Sequence, residues 1–386
     1  MILVRHAPVN TLRKAFAALL LPALLIAPGP SALDPAPAAA AGNPASRLKV
    51  VALLPLSGPG ISLGMYLRYG IEMGRRELSG SGGGPPVDVL YLDTKSEAEA
   101  SVAAIKAVLA RGRPDAVICA LSAVSNAVLP ILERAGILTI VTAMAAADPP
   151  KGAKEVVRAY PDSRAYVEPI ANYMLLHFDN IATVYINDEF GQSNQRAFAK
   201  IVDDAGKTLS ASESFEPQQN DTRAVILRIL ASSPDAVFVT GYGRAYVSVI
   251  KALREMAADM PVFSEANFGN PMVLGALGQA ADGIVFNGTD LDLSVSSNKR
   301  AEEFRKLYHA EFMTDPYHVV GFARDSVMLL SEAARKAGGK PDKAAIISLS
   351  PFEGVMGSIP MDSDGRIRVT FHLIRREKGR SVPVES

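Results

Sequence analysis

Two successive stretches of the chain alternate short, almost unbroken apolar runs with helical patterns, and this alternation limits the possible folds more than any other feature. In the first stretch the runs are "KVVALLPL" (49–56), "VDVLYLD" (87–93), "DAVICAL" (115–121) and "ILTIVTA" (137–143). Between them lie a helix carrying Leu63, Leu67, Ile71 and Leu78 near helical spacing, a second helix over 97–111 and a third over 125–135. A strand with one wet face alternates apolar and polar residues. These runs do not, so they predict parallel strands buried on both faces, joined by helices. The pattern then restarts, with helices over 164–178, 191–205, 221–231 and 244–258. Its strands are "IATVYIND" (181–188), a segment near 207–214, "DAVFVTG" (235–241), "MPVFSEA" (260–266) and "GIVFNGT" (283–289). The fold class this predicts is α/β, with two doubly wound, Rossmann-like lobes in tandem.

After Asp290 the rhythm changes. Three helices (297–313, 318–337 and 341–349) follow without a strand, and strand-like segments return at 357–362 and 366–377 around the turn at 362–365. A helical block followed by two terminal strands predicts that the chain crosses between lobes three times, near Pro161, near 287–290 and near 354–357. The expected partition is 42–161 plus 288–355 for one lobe and 162–287 plus 356–386 for the other. Three crossings make a hinge.

The first 41 residues stand outside this scheme. Arg5, Arg13 and Lys14 precede the apolar run "AFAALLLPALLI" (15–26), which is too short to span a bilayer and is followed by small residues ending at Ala39, Ala40 and Ala41. This predicts a cleavable secretory signal peptide and a periplasmic protein. The only cysteine, Cys119, is remote from the cleavage site, so no lipid anchor is expected there, and in an apolar run it reads as a small buried hydrophobe. Removing the leader takes three of 40 basic side chains and one of 40 acidic ones, for a net charge of −2. No basic surplus calls for nucleic acid.

Several motifs suggest chemistry and fail on spacing. "GISLG" (60–64) fits G-x-S-x-G, but a nucleophile elbow puts its serine directly off a strand end, with an oxyanion hole from an earlier strand's loop. Here the first strand ends near Leu54 and no strand of the mature chain precedes it. "GSGGGPP" (80–86) follows a helix, the wrong end for a phosphate cradle, and no Walker lysine follows "SGPG". His177, His309, His318 and His372 are dispersed, without H-E-x-x-H or paired cysteines. No metal, cofactor or catalysis is expected. What remains is a set of strand-to-helix loops at 55–64, 120–126, 142–148, 187–192, 241–245 and 264–267. Ligands of open α/β sheets bind outside the carboxyl ends of the strands, where helix N-termini suit an anion. With two lobes, the ligand belongs between them.

The segments "VVALLPLSGPGISLGMYLRYGIEMGRREL", "AVLPILERAGILTIVTAMA", "VYINDEFGQSNQRAFAKIVDDAG", "DAVFVTGYG", "HVVGFARDSVMLLSEAARKAG" and "GVMGSIPMDSDGRI" lie in order along nearly the whole mature chain. Together they resemble the type I periplasmic solute-binding proteins of the leucine/isoleucine/valine and amide class, which feed ABC importers. The resemblance implies two lobes closing on a small molecule, no catalysis, and a monomer that partners an inner-membrane permease, the alternatives being branched-chain amino acid or amide binding by the same mechanism or ligand sensing coupled to a signalling receptor. It carries ligand contacts to Ser122 and Ala123 at a helix start, to the backbone of Ala143, and to Ala145, which stands where the family commonly has a threonine. Leu63 and Phe190 fall where tyrosines often line the pocket, and Tyr242 falls near another lining aromatic. The carboxylate for a ligand ammonium is expected near Ala266, with Glu265 and Asn267 flanking it. The polar fork for an α-amino acid is thus depleted. An unpaired buried ammonium costs several kcal/mol, whereas apolar contact contributes about 25 cal/mol per Å2, so the ligand is expected to be largely apolar or aromatic, with one carboxylate or amide at Ser122.

Overall fold

Neighbouring residues of the first strand, β1 (Leu48–Leu54), feed two different cores. Val50, Ala52 and Leu54 belong to one apolar cluster, Val51 and Leu53 to another. A strand can do this only if both faces of its sheet are covered. In the structure, a computed structural model that describes residues 47–81, 84–146 and 152–384, β1 lies inside a five-stranded parallel sheet. Its order is β2-β1-β3-β4-β5, with β2 at Val87–Asp93, β3 at Ala116–Cys119, β4 at Leu138–Val141 and β5 at Val156–Arg158. Helices α1 (Ile61–Ser81), α2 (Ala98–Arg111) and α3 (Ser122–Arg134) connect the first four strands. Cys119 is buried in this sheet and free, and burial pushes its thiol up to about 12. The leader expected at 1–41 lies outside the described residues.

The second lobe repeats the scheme with α4 (Ser163–His177), β6 (Ile181–Ile186), α5 (Glu189–Asp204), β7 (Ala211–Phe215), α6 (Arg223–Ala231), β8 (Ala236–Thr240), α7 (Gly243–Met256), β9 (Val262–Ser264), α8 (Pro271–Leu277) and β10 (Val285–Gly288). The chain then returns through α9 (Lys299–Phe312), α10 (His318–Ala337), α11 (Lys343–Ile347) and the hairpin β11 (Phe352–Gly354) and β12 (Gly357–Ile359). It ends in β13 (His372–Glu377) and β14 (Arg380–Pro383). The second sheet runs β14-β13-β10-β9-β8-β6-β7, with its last two strands antiparallel.

The helical block belongs to the first lobe. α10 packs along α1 so closely that a Cβ at Gly70 would sit 2.3 Å from Val320 O. α9 joins them through the stacked rings of Tyr69 and Phe312, 4.3 Å apart. The crossings differ in place from the sequence expectation in one respect. Beyond 354–357 the chain stays with the first sheet, since Arg158 N donates to Gly365 O and Ile367 N donates to Arg158 O. It enters the second sheet only at His372, so the third crossing runs through 368–371. Four elements escaped the sequence reading: β5, α8, β11 and β14. The predicted strand over 366–377 is two isolated bridges, Arg366 with Arg158 and Ile367 with Met361, followed by β13.

Candidate functional site

The carboxyl ends of both sheets face a small cavity of about 120 Å3. The first lobe supplies Pro59, Ser96, Leu121, Ser122 and Ala123, the second Asp188, Glu189, Phe190, Pro217 and Tyr242. The lobes meet beside it, where Asn126 Nδ2 donates to Glu189 Oε2 at 2.8 Å.

On the first-lobe wall the chief feature is the start of α3. Leu121 precedes it with no side-chain cap, and only from Ser125 onward do its amides find helical carbonyls, Ser125 N bonding Leu121 O. The N–H groups of the first turn therefore remain available beside the cavity, with the partial positive charge of a helix N-terminus. Ser122 Oγ accepts from Ala146 N at 3.2 Å and keeps its own proton to donate. The backbone is forced here. Leu121 has φ of 71° and its N–H bonds to O of Ala143, itself at φ of 49°, while Ser96 stands at 64°. Non-glycine residues in this region cost on the order of 1–3 kcal/mol each; Leu121 and Ser96 line the cavity and Ala143 is bonded to Leu121.

The second-lobe wall is aromatic and acidic. Phe190 and Tyr242 lie with ring centroids 6.0 Å apart. Asp188 caps α5 by accepting from Gly191 N and also accepts a hydrogen bond from the Tyr242 hydroxyl. Burial pushes the Asp188 carboxyl up, partly offset by those donors.

Behind Phe190 and Tyr242 lies a buried polar network. The Glu265 carboxylate accepts from Asn267 N (2.6 Å) and Tyr166 Oη (3.0 Å) on one oxygen, and from Gly241 N (3.2 Å) and Thr240 Oγ1 (3.4 Å) on the other. Four donors fill the four lone-pair sites of a carboxylate. Burial raises Glu265 to about 7, against the lowering effect of the Asn267 and Gly241 amides, the Tyr166 hydroxyl and His318. The network continues through Tyr166 and Tyr160 to His318 Nε2, and from His318 Nδ1 to Asp292 at 3.2 Å. It touches every crossing: Tyr160 in the first, Asp292 and Thr289 in the second, and Phe371 of the third, whose ring lies 5.6 Å from Tyr166.

Of the residues singled out in the sequence, the cavity brings together Ser122, Ala123, Phe190 and Tyr242. Leu63, Ala143, Ala145, Glu265 and Asn267 are buried but do not line it. Glu265 is engaged by the protein itself. Pro59, Asp188 and Glu189 sit in loops the sequence marked without being chosen. Leu121 likewise lies in the marked loop 120–126, Ser96 is betrayed only by its backbone angle, and Tyr166 and Asp292 give no signal in the sequence.

Ser62 is the second residue of α1, well beyond the end of β1. Its flanking glycine has a packing reason, since a Cβ at Gly64 would fall 2.0 Å from Pro55 O. Among the described residues no cluster of His, Cys, Asp or Glu is placed to hold a metal, and no helix is long and apolar enough to cross a membrane.

Solved structures share this architecture. The branched-chain amino acid substrate-binding protein LivJ of Streptococcus pneumoniae, in complex with isoleucine, superposes with a TM-score of 0.80 at 20% identity, covering 88% of this chain and all (100%) of its own. A solute-binding protein from R. palustris in complex with benzoate matches with a TM-score of 0.78 at 22% identity over 88% of this chain and 96% of its own. Another, from Rhodopseudomonas palustris BisB5 with 3,4-dihydroxybenzoic acid, gives 0.79 at 18% identity over 88% and 96%. All are two-lobed ABC-transporter binding proteins, and the fold here is theirs. The family model for periplasmic binding proteins matches residues 47–375, most of the chain, and the protein belongs to that family of ligand-binding receptors.

Proposed function

We propose that the protein captures a small, largely apolar or aromatic carboxylate between its lobes, without catalysis, and presents it to an inner-membrane ABC permease. In this reading it is exported by a cleaved leader and works in the periplasm as a monomer. The observation that carries the ligand class is the pairing of an uncapped α3 N-terminus at the cavity with a Glu265 carboxylate that has no lone pair left for an ammonium. The ligand's carboxylate takes the first-turn amides and the Ser122 hydroxyl. Its body lies against Leu121, Phe190, Tyr242 and the two prolines. The size suits a single ring or a short chain, since a cavity on the order of 150 Å3 accommodates benzene. Closure follows from linkage, because a ligand touching both walls binds the closed form better. The structural likeness to proteins holding benzoate and dihydroxybenzoate supports this reading.

One observation favours a second reading. Asp188 brings a carboxylate to the cavity wall, and the isoleucine complex of a relative fits an amino-acid ligand. A thermal-shift screen of the mature protein separates the two. A ligand at 100 times its Kd stabilises by about 2.7 kcal/mol, so aromatic and short aliphatic acids are expected to raise the melting temperature while leucine, isoleucine and valine do not. Strong stabilisation by those amino acids would remove the first reading and leave the receptor function intact.

A further inference from the structure

A second cleft, of about 400 Å3, shares no residue with the interlobe cavity. One side is α8 and the β13–β14 hairpin, from the second lobe. The other is α9 and the 313–316 segment, packed on the first. Its carboxylates are already engaged. Asp292 accepts from Thr289 N and Oγ1 and from His318 N and Nδ1, and Asp315 meets His309 Nδ1 at 3.1 Å.

Its arginines are less completely matched. Arg305 is largely buried, with Nη2 donating to Asp290 O, but its Nε is buried without a hydrogen-bond partner. Arg305 forms an ion pair with Glu302 Oε1 only at 3.6 Å, beyond hydrogen-bond reach, and that oxygen also accepts from Ser296 N. Arg376 donates from Nη1 to Ser381 Oγ and has no carboxylate within salt-bridge reach among the described residues. Burial lowers its pKa, offset only in part by Asp282 and Asp315. The partly buried Arg376 guanidinium without an ion pair, and the long Arg305–Glu302 pair lining the same cleft, are a cost the fold carries, and an anion entering the cleft would relieve it.

We propose that this cleft is a second ligand site, taking a small multivalent anion between the guanidinium groups of Arg305 and Arg376. Inorganic phosphate and a short dicarboxylate share the needed chemistry, acceptor oxygens in a plane or tripod matched to guanidinium forks. Because both lobes form the walls, occupancy is linked to the angle between them, and through it to the main cavity.

The test is calorimetric titration of inorganic phosphate and, separately, malonate into the mature protein, with ionic strength held constant by NaCl. Saturable binding of either supports the proposal, and which of the two binds tighter tells an inorganic from an organic anion. Arg376→Gln and Arg305→Gln are each expected to weaken it roughly tenfold, the worth of one charge-assisted hydrogen bond, with Arg376→Lys recovering part. Circular dichroism checks folding, and if Arg305→Gln does not fold the Arg376 pair decides. Heats no larger than the NaCl control overturn the proposal, as does saturable binding that neither substitution changes.

Discussion

Glu265 makes the protein's stability fall with pH in a window that can be calculated. Its carboxyl is fully buried and stands at about 7, against an ordinary value of 4.5 in the unfolded chain. Below 4.5 both states carry the proton and nothing is gained or lost. Between 4.5 and 7 the folded state holds a proton that the unfolded state has released, so stability drops as pH rises. Above 7 both are ionised and the loss is complete. At 1.36 kcal/mol per unit the full drop is about 3 kcal/mol. Urea denaturation of the wild type and Glu265→Gln at pH 5, 6, 7 and 8 measures it. The glutamine cannot match four donors, so its absolute stability is not the readout. The difference between the two proteins is, because the other ionisable carboxylates nearby, Asp292 and Asp188 among them, stay in both. Wild type minus variant is expected to fall by about 3 kcal/mol across the series. Parallel pH profiles would refute the burial argument and, with it, the claim that this carboxylate is locked in the hinge network.

Gly64→Ala places a methyl carbon against the Pro55 carbonyl with no flexible side chain to yield, so a loss of 1–3 kcal/mol, roughly that of an overpacked core, is expected in the denaturation midpoint, whereas Ser62→Ala at the neighbouring site is expected to leave stability and ligand binding nearly unchanged. Asp290 and His372 pair at 3.2 Å between the second and third crossings, with Asp290 held down to about 2 and His372 raised. The pair stabilises above the ordinary carboxylate value of 3.8 and below the histidine value of 6.5, and fades as pH rises through the folded value of His372 or falls through about 2. The stability difference between the wild type and His372→Gln is therefore expected to peak near pH 5 and shrink at alkaline pH.

The architecture was legible because it rests on periodicity. Unbroken apolar runs such as Val50 to Leu54 and Ala116 to Cys119 specify strands covered on both sides, and the helices between them follow. The elements that escaped are those where local signal is thin: β5 is three residues long and held by its neighbour β4 and by Gly365, and α8 begins at a proline after a 3-10 turn. The third crossing was misplaced because its true position depends on bridges to Arg158, a contact across some two hundred residues that no local pattern encodes. The site divides in the same way. Ser122, Phe190 and Tyr242 sit where strands pass into helices, at the start of α3, the start of α5 and the cap of α7, and the topology marks those places. Glu265 shows the limit, since the sequence supplies a carboxylate at the right loop but cannot reveal that Tyr166, Thr240 and two backbone amides consume it.

The most direct test of the central claim compares one acid with its own neutral analogue. The tightest-binding carboxylate from the screen and its primary alcohol are titrated into the wild type and Ser122→Ala. A carboxylate seated on the α3 N-terminus is expected to outbind the alcohol by about 1.5–3 kcal/mol, tenfold or more, and to lose roughly tenfold on removal of the Ser122 hydroxyl. Equal affinity for acid and alcohol, or an acid affinity indifferent to Ser122, would contradict it.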